Sequence, residues 1–107
     1  MSAEKIRALN DAFRTAMTGG RALLTAGVDA LPSDVKAMVI RRVATFSEFT
    51  EDNDPHGEHD FGSFEIAGHK IFWKIDYYDA DMVFGSADPA DPTKTTRVLT
   101  IMLASEY

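Results

Sequence analysis

The segment Thr50-Glu51-Asp52-Asn53-Asp54-Pro55-His56-Gly57-Glu58-His59-Asp60 divides this chain into two unlike halves. It holds five carboxylates, two imidazoles and no aliphatic side chain. Before it, apolar residues recur mostly at the spacing of an α-helix. After it they alternate as in a strand. A change of period across a polar, turn-forming connector predicts an α+β fold. At 107 residues the chain is expected to form a single domain over 1–107.

In the first half, Ile6, Leu9, Phe13, Ala16 and Met17 predict an amphipathic helix over 2–18, with Ser2 at its cap and Gly19-Gly20 ending it. Residues 21–28 form a short apolar run between turn signals and read as a strand. Pro32-Ser33-Asp34 marks a second helix start, with Ser33 as N-cap. Val35, Met38, Val39, Val43, Phe46 and Phe49 supply the apolar face of this helix, which is expected to run to about residue 48.

In the second half, strands are expected over 61–67, 70–79 and 95–104, with Gly68-His69 as a tight connection and 80–94 as loop. Ile71, Trp73, Ile75 and Tyr77 share one face of the middle strand, and Phe72, Lys74, Asp76 and Tyr78 the other. The last strand is apolar on both faces, which places it centrally in its sheet. The expected architecture is two helices packed on one face of a small antiparallel sheet, in the order α-β-α-β-β-β. The opposite face is half apolar. It is covered by a second copy of the chain (a homodimer), by another partner, or by the 80–94 loop folding back.

Composition narrows the function classes. There is no cysteine, so disulfides, thiolate zinc sites and thiol nucleophiles are excluded, and a reducing cytoplasm is the expected location. No apolar run approaches the roughly 18–20 residues of a membrane span, and the first residues lack the layout of a signal peptide. Eleven Lys and Arg against seventeen Asp and Glu leave a formal charge of −6. That charge repels nucleic-acid backbones and suits a basic protein partner, including one whose nucleic-acid groove it would block. Phosphate-loop, dinucleotide, nucleophile-elbow and zinc-protease motifs are missing.

The 52–60 segment is the strongest chemical signal. His56 and His59, three residues apart beside Asp54, Glu58 and Asp60, supply donors suited to a divalent ion such as Zn²⁺, Mn²⁺ or Fe²⁺. Loop histidines lack the enforced geometry of two on one helix face, so the motif is of low specificity. A metal-free role, as an acid–base pair or a protein contact through Asp54, His56, Glu58 and Tyr78, is a second reading. The third is structural, with Asp, Asn and Pro building a rigid connector. Lys74 and Asp76 share a strand face, and a catalytic group of His59, Asp60, Lys74 and Asp76 is one reading of them. A cross-strand ion pair involving Glu65 or Arg97 is the plainer account.

Three blocks together resemble the uncharacterised DUF3768 family: 53–62 (Asn-Asp-Pro-His-Gly-Glu-His-Asp-Phe-Gly), 72–79 (Phe-Trp-Lys-Ile-Asp-Tyr-Tyr-Asp) and 96–103 (Thr-Arg-Val-Leu-Thr-Ile-Met-Leu). The resemblance runs from about Ile6 to Tyr107. It implies a small proteobacterial protein associated with plasmids and integrated mobile elements, and brings no activity, cofactor or site residue. The expected function is therefore an acidic interaction or regulatory protein that counters a host defence or supports a mobile element. The alternative is a small metal-dependent or acid–base enzyme built on the 52–60 loop.

Overall fold

The computed structural model describes residues 2–107. It contains α1 (Ser2–Ala16), β1 (Arg21–Leu24), α2 (Ala26–Asp29), α3 (Ser33–Thr45), β2 (Phe61–Ile66), β3 (His69–Tyr78), β4 (Thr96–Leu103) and a closing 3₁₀ turn, Ala104–Glu106. The four strands form one sheet in the order β1-β4-β3-β2. Trp73, Ile71, Ile75, Leu99 and Ile101 form its buried face and meet Phe13 of α1 with Val39 and Val43 of α3. The α+β class, helices against one sheet face and an interior β4 are as expected. No helix among the described residues is long and apolar enough to cross a membrane.

Several expectations need correction. The sheet is mixed, because β1 runs parallel to β4 while β2–β3 and β3–β4 are antiparallel. Hydrophobic alternation carries no information on strand direction, and the last strand enters between two earlier ones. The expected 21–28 strand stops at Leu24 and gives way to one helical turn. Glu106 explains that break: its carboxylate accepts from Thr25 Oγ1 at 2.6 Å and from the amides of Gly27 and Leu103 at 2.9 and 2.8 Å. Ser33 is the first residue of α3 rather than its cap; Pro32 occupies the cap position and makes no side-chain bond there. The position before Ser2 lies outside the described residues.

The β2–β3 connection is Ala67-Gly68, one residue earlier than expected, with both φ angles positive at 50° and 80°. That conformation matches the twist of a two-residue hairpin. Gly62 sits opposite Trp73 on the core face. A Cβ there would lie 2.5 Å from Trp73 Nε1, so the indole can cover β2 only above a glycine.

Helix faces differ from the expected stripes. The buried residues of α1 are Ile6, Asn10, Phe13 and Arg14, two of them polar, while Ala16 is exposed. In α3, Met38 is 44% exposed, and Ile40 packs against the core instead.

Residues 88–92 of the 80–94 loop lie on the helix side of the sheet rather than across its far face, where Val98 and Met102 are buried. The Pro89 carbonyl accepts a bond from Arg97, Asp88 O accepts from Thr95 Oγ1 at 2.8 Å, and Pro92 faces α1 across a small cleft. Tyr107 instead reaches the far face, with its ring centroid 5.3 Å from that of Phe72 and 6.0 Å from that of Phe61.

Candidate functional site

The second half of the 50–60 segment, residues 57–60, is turned inward and attached to α1, while residues 50–53, Pro55 and His56 are exposed. Arg7 donates to Gly57 O at 3.0 Å, and Asn10 Nδ2 donates to Glu58 O at 3.0 Å. Asp54, whose side chain is only 5% exposed, accepts from the amides of Glu58 and His59. Gly57 and His59 both take left-handed backbone angles, at φ 67° and 55°. Asn53 and Thr50 bond reciprocally, Thr50 N to Asn53 Oδ1 at 2.8 Å and Asn53 N to Thr50 Oγ1 at 3.3 Å. These are the side-chain-to-backbone turns that Asp, Asn and Thr favour.

His59 is the clamp. Its Nδ1 lies 2.9 Å from Asp11 Oδ1, and its Nε2 is 3.6 Å from Asp54 Oδ2. The ring stacks on Phe49 with centroids 3.7 Å apart and planes within 4°. Because Nδ1 faces only carboxylate oxygens, it carries a hydrogen. Asp11 also accepts from Arg14 at 3.0 Å.

Arg14 joins this pair to the end of α3, donating to the carbonyls of Val43 and Phe46 at 2.7 and 2.9 Å. A cation there offsets the negative end of the helix dipole and satisfies carbonyls that lack helical partners. Its guanidinium lies over Trp73 and Phe49, at 4.9 and 5.4 Å from the ring centroids. Burial lowers its pKa, against the pull of Asp11.

A second network centres on Tyr77. Its hydroxyl accepts from Asn10 Nδ2 at 2.8 Å, and its single proton serves either Glu58 Oε1 at 3.1 Å or Asp60 Oδ2 at 3.3 Å. The Asn10 carbonyl oxygen accepts from Arg97 Nε at 2.8 Å, so both polar atoms of this fully buried amide are bonded. Burial, then the Glu58 charge, raises the Asp60 pKa. Burial likewise raises Tyr77 and lowers Arg97.

The sheet divides the catalytic group suggested by sequence. His59 and Asp60 lie on the helix side, whereas Lys74 and Asp76 pair at 2.8 Å on the opposite face. That pair is within β3; neither Glu65 nor Arg97 takes part, since Arg97 lies on the helix side. The Asp76 contact raises the Lys74 pKa. Tyr78 is half-buried beside them on the far face.

His56 is exposed and shares no partner with His59. Among the described residues, no group of three or more His, Asp or Glu side chains is arranged to hold a metal ion. The loop histidines therefore do not converge.

A family profile described as "Protein of unknown function (DUF3768)" matches residues 24–106. The chain belongs to the DUF3768 family. The matched span begins at the end of β1, later than the Ile6 suggested by the three sequence blocks, and contains the whole 50–60 loop, Tyr77 and Arg97. Asn10, Asp11 and Arg14, which anchor the loop in this DUF3768 member, precede it. No curated protein and no solved structure matches the chain.

Asn10, Asp11 and Arg14 were missed by sequence reasoning because an apolar stripe was sought on α1. Their spacing from Ile6, at i+4, i+5 and i+8, was the available signal. Beside the clamp lies an open cleft of about 420 Å³, bordered by Asp11, Arg14, Thr15, Ser47, Phe49 and His59. Both His59 nitrogens face carboxylates, so the imidazole acts locally as a fastener between loop and helix.

Proposed function

We propose that this DUF3768 protein acts by binding another protein, as a small cytoplasmic interaction or regulatory module. In that role it counters a host defence or supports the mobile element that carries it. One observation carries the reading. Arg14 and Arg97, each 3% exposed, are withdrawn into the core, against a single carboxylate, Asp54, whose side chain is 5% exposed. The outward surface is therefore more acidic than the formal charge of −6 implies. Such a surface steers toward basic partners, including nucleic-acid-handling proteins, and away from nucleic acid itself. The inward engagement of His59, Asp54 and Asp60 adds support, because the groups suited to acid–base work are occupied in holding the loop.

The test is recovery of a partner on immobilised full-length protein from the encoding host, followed by reconstitution from purified components. A stoichiometric complex that weakens as salt rises supports the proposal. Absence of any reconstituted complex, or binding indifferent to salt, overturns it.

A further inference from the structure

The turn that follows β3 presents two adjacent apolar side chains to solvent. Val83 is 65% exposed and Phe84 is 72% exposed. The other large exposed apolar residues, Leu23, Met38 and Tyr107, lie on three separate segments. Scattered single residues of that kind are ordinary, but a neighbouring β-branched and aromatic pair on a turn is a compact apolar knob.

The knob is held in shape by the chain itself. Asp79 N donates to Phe84 O at 2.8 Å, and Met82 N donates to Asp79 O at 3.0 Å. The Asp79 carboxylate accepts from Val83 N at 3.0 Å, and Met82 takes a left-handed φ of 61°. Below the turn, Ser86 N bonds to Tyr77 O at 3.0 Å and Tyr78 pairs with Gly85 as an isolated bridge. A turn whose backbone is fixed before contact has less conformational entropy to lose on binding. The turn itself carries two carboxylates, Asp79 and the exposed Asp81, and residues 79–86 hold no cation.

We infer that Val83 and Phe84 form an insertion knob for an apolar pocket rimmed by Lys or Arg on a partner protein. This inference rests on the binding function proposed above and adds the surface and the partner's chemistry. The apolar pair supplies the desolvated centre of the contact, and the aspartates supply the charged rim that orients it. A second copy of this chain is disfavoured as the occupant, because two such acidic surfaces repel at low salt.

The test uses the full chain with Phe84→p-benzoylphenylalanine, irradiated in the encoding host, beside a control carrying the same group at exposed Ser63 of β2. A discrete adduct to another protein from position 84 and none from position 63 is expected. With that protein purified, Val83→Ser/Phe84→Ser should weaken the reconstituted complex roughly tenfold or more. Asp81→Lys, at an exposed carboxylate, should weaken it and flatten its salt dependence. Unchanged circular dichroism and melting for both variants will separate lost contact from lost fold. A salt-sensitive complex that both variants leave intact overturns the knob and spares the general binding function. Failure to reconstitute any complex overturns both. An adduct only to a second copy overturns the assigned occupant.

Discussion

His59 Nδ1 lies 2.9 Å from Asp11 Oδ1, joining the connector between the two halves of the chain to a helix 48 positions earlier. The same ring rests flat on Phe49. The residue that most suggested chemistry is thus a tertiary fastener, and its replacement reads out as stability and loop order.

His59→Ala should destabilise the fold by about 1–2 kcal/mol, the range of one charge-assisted hydrogen bond discounted for the partly exposed Asp11. His59→Gly should recover up to about 1 kcal/mol of that loss, because glycine tolerates the positive φ at this position. Urea unfolding of both variants makes the comparison. Equal losses would place the whole effect in the side chain.

Gly62→Ala should cost about 1–3 kcal/mol by driving a methyl against the Trp73 indole. Trp73 is the single tryptophan of the chain, so its fluorescence reports the displacement directly. Trp73→Ala should cost about 3–5 kcal/mol, as a fully buried aromatic at the meeting point of sheet and helices. Wild-type melting for either variant would contradict the observed strand faces.

Asp60 and Glu106 should give opposite pH dependences. Burial and the Glu58 charge raise Asp60, so the folded chain holds that proton to higher pH than the unfolded chain. Its stabilising effect is complete below the unfolded pKa of about 3.9 and is lost as pH rises through the folded value. Asp60→Asn should abolish that fall. Bonds from Thr25 and Leu103 lower Glu106. Its contribution is present above about 4.3 and disappears as pH falls through the folded value, a loss that Glu106→Gln should remove. Denaturation midpoints at a series of pH values separate the two.

Chelation should leave the melting temperature unchanged, and tag-free protein should carry less than one equivalent of metal by elemental analysis. His56→Ala should likewise have no effect on stability, since the residue is exposed and does not converge with His59. A stoichiometric ion whose removal lowers the melting temperature would require the loop to rearrange.

Periodicity was enough to identify the elements on either side of the connector. Phe61–Ile66, His69–Tyr78 and Thr96–Leu103 are strands where alternation predicts them, and Ile71, Trp73 and Ile75 share the buried face as expected. An apolar last strand also pointed correctly to an interior position. Side-chain alternation and helical spacing are local properties, and they can be read from neighbours a few positions apart.

The rest depended on residues far apart in the chain. Only the packed fold made β1 parallel to β4, ended β1 at Glu106, and turned Asn10 and Arg14 of α1 inward to meet Arg97 and the end of α3. It also put His59 and Asp60 on the opposite side of the sheet from Lys74 and Asp76. A polar residue on a helix looks the same in sequence whether it meets water or a buried partner. The difference comes from desolvation and hydrogen-bond partners supplied across the tertiary structure, and no local pattern encodes them.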